Sequence, residues 1–199
     1  MNAKQTANSV EQVDRQISKQ VNEKRCSWPM RLIGSASEIG DQPQMRILCA
    51  TTVAVGIVWR DAHLAGTGLR MLAAHTLATW GKSRIKAIIN RTRPDSGDDP
   101  RIRAGNSDAH EENSFPSGHS AGAVAVGEAF ARSYPGHSTV TRAAAISVSG
   151  VQVPRGTHYA GDVLVGMLIG LVAERASNAA IGLLMDKVIS DAGGVASER

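Results

Sequence analysis

Residues 115–126, FPSGHSAGAVAV, join a turn signal to a run of small apolar residues. Serine is a preferred cap for a helix, so Ser117 predicts a helix that begins directly after it. Small residues in that helix favour close packing against neighbouring helices. His119, in the first turn, then has two interpretations. It is incidental to the cap, or it handles a proton beside a phosphate held at the helix N-terminus, where Gly118 lets a ligand approach the backbone.

Helical patterns recur along the rest of the chain, and no alternating strand pattern stands out. Apolar residues fall at three- and four-residue steps from 63 to 90, and this helix is expected to stop at Pro94. One apolar run and three further stretches are also predicted to be helical: 47–59, 117–132, 139–153 and 162–189. The sequence therefore predicts an all-α bundle of about five to six helices.

The predicted domain organisation is simple. A chain of 199 residues fits one domain. We expect that domain over residues 35–190, between a polar arm at 1–34 and a polar tail at 191–199. The arm is expected to be solvated, or to lie on anionic lipid headgroups because its basic residues outnumber its acidic ones. A polar loop of about twenty residues after Pro94 is expected to cover a site or to be disordered.

Composition narrows the partners. The net charge of +4 favours anionic partners such as phosphate, anionic lipid or nucleic acid. The aromatic content of 4% argues against a single-stranded nucleic-acid platform, which needs rings for base stacking. The two cysteines have no zinc-type spacing and predict no disulfide, and Cys49 is expected to be buried. Residues 1–25 are polar and contain no signal-peptide pattern.

Hydropathy does not decide between a membrane and a soluble bundle. The apolar runs at 47–59 and 163–173 are shorter than the roughly 20 residues that a lone spanning helix needs. The mean hydropathy of −0.14 leans toward a soluble bundle. Both interpretations remain open on these grounds.

Two further clusters carry chemistry. Lys86 and Arg93 are seven residues apart, nearly two helical turns, so both cations project from one face and suit a phosphate. The alternative is a solvated basic helix end. Asp162 follows His158 by four residues and either caps the next helix or accepts a hydrogen bond from one ring nitrogen. The second arrangement leaves the other nitrogen free to attack phosphorus.

Together these residues are what metal-free phosphoryl transfer needs. At this point the chain resembles the type 2 phosphatidic acid phosphatase superfamily, which includes the vanadium-dependent haloperoxidases. The first motif of that family is Lys, six residues, then Arg-Pro, and it is met by Lys86, Arg93 and Pro94. The second is Pro-Ser-Gly-His, met by residues 116–119, and the third is met in its latter half by His158 and Asp162. Order and spacing agree.

The resemblance implies a helical fold and a role for each matching residue. His158 is implied to be the nucleophile that forms a phosphohistidine, Asp162 to orient it, and His119 to be the general acid. The groups implied to bind the phosphoryl oxygens are Lys86, Arg93, Ser117 and the Gly118 backbone. The resemblance also implies that no metal or other cofactor is needed, and that the domain is membrane-embedded.

One motif position departs from the family. The motif arginine falls on Gln152, which lacks the charge and the fork of a guanidinium. Arg155, three residues closer to His158, is either a substitute cation or a solvated charge in a turn. We include Gln152 and Arg155 among the candidate phosphate-binding residues. The remaining histidines match no motif position and are expected in the core or on the surface: His63, His75, His110 and His137.

The expected function is a phosphatase acting on a lipid phosphomonoester or pyrophosphate, of the phosphatidic acid or isoprenoid pyrophosphate type. The partners are a lipid phosphate and a membrane, with no nucleic acid. The expected location is integral to a bacterial-type cytoplasmic membrane, with a soluble protein as the alternative. Two other functions remain open: a vanadate-dependent haloperoxidase, and a weakened or silent membrane protein that retains a phosphate site because of Gln152.

Overall fold

The computed structural model describes residues 9, 11–17, 34–35, 37–97 and 99–197, of which 189 and 192–197 are described by their backbone alone. Residues 11–17 are helical. Within the described residues, five longer helices build the fold: α1 (Gln42–Val58), α2 (Ala62–Lys86), α3 (Gly118–Ser133), α4 (Ser138–Gly150) and α5 (Ala160–Ser197). The predicted all-α bundle of five to six helices is confirmed.

The helix ends follow from local side chains. The Asp61 side chain accepts a hydrogen bond from the Leu64 amide at 2.9 Å and caps α2, close to the predicted start. Ser117 caps α3 by accepting from the Ser120 amide, as its sequence position indicates. The second predicted helix ends at Lys86 rather than Pro94, because the chain turns there into a short strand.

That strand, β1 (Ile89–Asn90), pairs antiparallel with β2 (Arg103–Ala104). Each strand has two residues, too few for an alternating pattern to indicate them. Beyond the strands, the Ser114 amide donates to the Arg91 carbonyl at 3.0 Å, and the Arg93 amide donates to the Glu111 carbonyl at 2.7 Å. These bonds hold the polar loop across one end of the bundle, which fits the prediction of a loop that covers a site.

Small residues set the spacing of the helices around α3, which packs against α2, α4 and α5. A Cβ at Gly170 of α5 would lie 2.5 Å from the carbonyl oxygen of Ala121 on α3, and a Cβ at Gly166 would collide with the Ser117 carbonyl. Only glycine permits this approach. It brings the beginning of α5 beside the beginning of α3, where the Ser117 amide donates to the Asp162 carbonyl at 3.0 Å.

The buried core consists mostly of alanine with a few larger apolar side chains. Cys49 belongs to it, as predicted. The outer faces of the bundle are apolar as well. Large exposed apolar side chains occur on α1, α2, α4 and α5, among them Ile47, Ile57, Leu69, Trp80, Val140, Leu164, Leu168 and Val172.

Residues 11–17 belong to the predicted polar arm, and most of them are exposed or half-buried. Asp14 is the buried residue of this segment: it is only 3% exposed and contacts the bundle. Cys26 and most of the rest of the predicted arm lie outside the described residues. At the other end of the chain, α5 continues to Ser197, beyond the predicted end of the helix at 189.

Candidate active site

A cavity of about 610 Å³ opens at the end of the bundle where α2 ends and α3 begins. It contains a residue from each of the three predicted motifs. Among its lining residues are Asp41, Arg46, Lys82, Lys86, Arg93, His110, Gly118, His119, Arg155 and His158. The fold therefore assembles residues that are up to 117 positions apart in sequence into one basic, histidine-containing site.

Backbone carbonyls hold the two predicted motif cations in place. The Lys86 ammonium donates to the Asn113 carbonyl at 2.6 Å. The Arg93 guanidinium donates to the His110 carbonyl at 2.8 Å and to the Thr157 carbonyl at 3.2 Å. Burial lowers the pKa of Arg93, with Asp95 and Asp162 opposing that effect. The charge on Arg93 is therefore incompletely compensated, and an anion in the cavity would compensate it.

Two further cations line the cavity and were missed from the sequence. Lys82 lies one turn before Lys86 on the same face of α2, and its Nζ lies 2.9 Å from where a Cβ of Gly118 would be. The spacing of four residues from Lys86 was the available signal for it. Arg46 enters from α1, and its sequence surroundings contain no motif that indicates this position.

His158 stands in the turn before α5, with its side chain 3% exposed. Its Nδ1 lies 3.8 Å from Oδ2 of Asp162, so the predicted pair is brought together at an ion-pair distance, longer than a hydrogen bond. Burial lowers the pKa of His158, an effect that Asp162 opposes and that Arg93 and Lys86 reinforce. The ring is therefore neutral near pH 7, which is the state that a nucleophile requires.

Asp162 is fully buried, and its carboxylate accepts several hydrogen bonds. Its Oδ1 accepts from the Arg91 guanidinium at 2.6 Å, and its Oδ2 accepts from the Ser114 hydroxyl and from the Tyr159 amide at 2.9 Å. These donors fix the carboxylate beside His158. Arg91 and Ser114 were not predicted from the sequence as site residues, although Arg91 lies two residues before Arg93 in the first motif.

His119 begins the first turn of α3 and faces His158 across the cavity. The two ring centroids are 6.5 Å apart, and the ring planes are inclined at 64°. Nε2 of His119 lies 2.8 Å from Oδ1 of Asp41, an ion-pair contact without the alignment of a hydrogen bond. Asp41 precedes α1 and does not cap it with its side chain. Burial lowers the pKa of His119 to about 4, and the Asp41 carboxylate opposes that effect by stabilising the protonated ring.

Two predicted phosphate-binding side chains lie away from the cavity. Ser117 is fully buried, and its oxygen accepts from the Ser120 hydroxyl at 2.9 Å, which fits the cap interpretation. Gln152 is also fully buried: its amide nitrogen donates to the Ser37 hydroxyl at 3.3 Å, and its oxygen accepts from Thr157 at 2.9 Å. Neither is among the residues that line the cavity.

Arg155, by contrast, lines the cavity. Its guanidinium donates to the Ser37 hydroxyl at 2.9 Å and to the Glu38 carboxylate at 3.3 Å. The structure thus places a guanidinium at the site although the motif position itself holds glutamine. Ser37 contacts both Gln152 and Arg155, so one hydroxyl links the buried amide to the cation.

The other histidines divide between core, surface and site. His75 is completely buried, His63 and His137 are exposed, and His110 lines the cavity. Within the described part of the chain, no group of three or more His, Cys, Asp or Glu side chains is arranged to hold a metal ion.

The sequence profile of the PAP2 superfamily matches residues 67–182, more than half of the chain. The chain belongs to the PAP2 superfamily. The matched region contains Lys86, Arg93, His119, His158 and Asp162. Comparison with curated proteins gives no match.

Two solved structures have the same fold. A transmembrane PAP2-type phosphatidylglycerolphosphate phosphatase from Bacillus subtilis superposes with a TM-score of 0.68 at 23% identity, covering 88% of this chain and 87% of that one. LpxE from Aquifex aeolicus superposes with a TM-score of 0.60 at 18% identity, covering 82% and 93%. At these identities the likeness establishes the PAP2 fold of this chain.

Proposed function

We propose that this protein is a phosphatase that hydrolyses a phosphomonoester or pyrophosphate of a lipid through a phosphohistidine on His158. The observation that carries the proposal is the cavity itself. It places a buried, neutral imidazole opposite a second imidazole that has a carboxylate partner, with cations around both. This is an arrangement for in-line displacement at phosphorus.

In the first step, the Nε2 lone pair of His158 attacks phosphorus. A bond forms between nitrogen and phosphorus, and the bond to the leaving oxygen breaks with its electron pair. Asp162 lies on the Nδ1 side of the ring and stabilises the positive charge that develops there. Its own donors, Arg91 and the Tyr159 amide, keep it in place.

His119 supplies the proton that the leaving oxygen takes. Asp41 favours the protonated ring, since its carboxylate lies 2.8 Å from Nε2. In the second step, the oxygen of a water molecule attacks phosphorus while His119 accepts a proton from that water, and the bond between phosphorus and Nε2 of His158 breaks with its electron pair returning to nitrogen. Inorganic phosphate then leaves, and both histidines return to their starting states.

The cations hold the oxygens of the phosphoryl group during both steps. Lys86, Arg93 and the amide at Gly118 are the predicted ligands, and Lys82 lies against the same helix start. Arg155 takes the place of the motif arginine, because it reaches the cavity and Gln152 does not.

The exterior of the bundle supports a lipid substrate and a membrane location. Among the described helices, the segment Ala160–Val188 is long and apolar enough to cross a membrane, and only 22% of its most apolar 18-residue stretch is buried. A core helix of a soluble protein would be mostly buried. Leu164, Leu168 and Val172 form one exposed apolar face of α5, which suits contact with lipid chains. The solved structure from Bacillus subtilis is of a transmembrane PAP2-type phosphatidylglycerolphosphate phosphatase.

The test is phosphate release by the full chain in detergent. Phosphatidic acid, phosphatidylglycerol phosphate and an isoprenoid pyrophosphate are the substrates, and His158→Ala is the control. We expect release from at least one of them and none above background from the control. Equal release by both proteins contradicts the assigned nucleophile. Binding of phosphate or vanadate without release by the wild-type protein would identify a silent site, and dye halogenation with vanadate and peroxide would identify a haloperoxidase.

A further inference from the structure

Arg91 lies at the centre of a buried charge cluster that the motif residues do not explain. Its side chain is 1% exposed and bonds to three acceptors: the Pro100 carbonyl at 2.8 Å, Asp162 at 2.6 Å and Asp14 at 2.8 Å. The Tyr159 ring lies 4.2 Å from the guanidinium carbon. Asp14 comes from the helical segment 11–17, 77 positions before Arg91 in the chain.

Asp14 also contacts the start of α5. Its Oδ1 accepts from the Gly161 amide at 3.0 Å, immediately before Asp162. The side chain of Asp14 is 4% exposed, so water does not compensate its charge. One carboxylate from the N-terminal segment therefore bonds to both the arginine and the backbone that present Asp162.

The charges in this cluster do not cancel. Arg91 carries one positive charge and is shared by two carboxylates, Asp14 and Asp162. Burial opposes the charge on Arg91, but Asp162 and Asp14 outweigh it and raise the pKa of the guanidinium above its usual value. Arg91 therefore stays charged, and the cluster keeps a net negative charge beside His158.

We propose that Asp14 is a positioning residue of the active site. Because Asp14 occupies one side of the Arg91 guanidinium, part of the negative charge on Asp162 stays uncompensated, and that charge stabilises the positive charge that develops on His158. The inference rests on the proposed phosphohistidine route. It makes the N-terminal segment part of the catalytic apparatus, because docking of residues 11–17 supplies this carboxylate. Without it, Arg91 neutralises Asp162 fully, and the attacking imidazole has less stabilisation of its developing charge.

His158 experiences other charges as well, and these stay constant in the test. Asp162 faces it from α5, Lys86 from the end of α2, Arg93 from the loop, and His119 from α3. The charges on Asp41 and Arg155 act on His119: Asp41 raises the pKa of that ring and Arg155 lowers it. Changes at Asp14 or Arg91 leave all of these groups in the protein.

The test is the pH dependence of kcat/KM for Asp14→Asn and Arg91→Gln in the full chain, on the substrate with the highest wild-type rate. Removing the Asp14 charge is expected to move the acid limb to lower pH by about half a unit, and to lower kcat about tenfold with little change in KM. Arg91→Gln leaves both carboxylates uncompensated, so its acid limb is expected to move the opposite way. Opposite shifts separate a charge effect from simple misfolding.

Three variants act as controls. Asp99→Asn removes a carboxylate that lies in the polar loop after Pro94 and pairs with the exposed Arg101. This variant is expected to match the wild type. Asp14→Glu retains the charge and is expected to restore the wild-type limb, as is Arg91→Lys. An Asp14→Asn profile that coincides with the wild type overturns the inference. So does a loss of activity that only follows a lower thermal midpoint. Absence of activity in the wild type itself would overturn the proposed function instead.

Discussion

Arg155→Gln tests most sharply whether a cation outside the family motif completes this site. The variant is close in size to arginine but removes the charge and the fork. Removing one donor that stabilises the transition state commonly lowers kcat by about 10²–10³, or about 2.7–4 kcal/mol. Arg155 is 21% exposed, so solvent screens part of its effect, and we expect the lower end of that range, about a hundredfold.

The stability cost of the same change is small. The Glu38 partner of Arg155 is 54% exposed, so that ion pair contributes about 0.5 kcal/mol at most. The hydrogen bond to the Ser37 hydroxyl contributes about 1 kcal/mol. We therefore expect the thermal midpoint to fall by only a few degrees, roughly 3–6 °C. Activity should fall far more than stability.

The assay is phosphate release at saturating lipid phosphate, with thermal unfolding measured on the same samples. Arg155→Lys keeps the charge and should lose less activity than Arg155→Gln. Arg101→Gln, an exposed arginine in the loop, is the matched control and should leave kcat unchanged. A kcat for Arg155→Gln within about threefold of the wild type would refute the assignment, since removal of one transition-state donor commonly lowers kcat by about a hundredfold or more.

Three further outcomes follow from the same geometry. Gln152→Arg is expected to give no gain in activity and to lower the free energy of unfolding, measured in urea, by about 2–4 kcal/mol, because Gln152 is fully buried and hydrogen-bonded to Thr157. A gain in activity with unchanged stability would contradict this. Gly118→Ala is expected to displace the Lys82 ammonium, because the new Cβ would lie 2.9 Å from it. We expect kcat/KM to fall about tenfold while the thermal midpoint stays nearly constant. An unchanged kcat/KM would count against the role of Lys82. Because burial lowers the pKa of His158, the acid limb of kcat/KM, measured from pH 4 to 8, should lie below the usual histidine value of 6.5, and an acid limb above pH 7 would show that the ring is not desolvated.

The sequence predicted the parts of this protein that depend on local order. Ser117 marks the beginning of α3, and the glycines of α5 indicate close packing, because capping and small-residue contacts are local properties. Both of these features are confirmed in the fold. Lys86 and Arg93 both line the cavity, but the prediction that they share one helical face is wrong, because α2 ends at Lys86 and Arg93 follows β1.

The features that sequence analysis missed depend on long-range packing. Asp14 reaches Arg91 across 77 positions, and Arg155 reaches Ser37 across 118, so neither contact has a signature in its own neighbourhood. Gln152 occupies a motif position and yet is buried, because the turn before His158 directs it toward Ser37 rather than into the cavity. Motif spacing identifies which residue aligns with the family, and packing determines which side chain lines the cavity.

Trapping of the phosphoenzyme tests the central claim most directly. The full chain in detergent is mixed with a lipid phosphate labelled with radioactive phosphorus, quenched within milliseconds in alkali, and mapped by peptide. The account predicts an alkali-stable, acid-labile label on His158 that is absent from His158→Ala and accumulates in His119→Ala with a substrate whose leaving group needs no proton. Label on any other residue, or full turnover by His158→Ala, would contradict it.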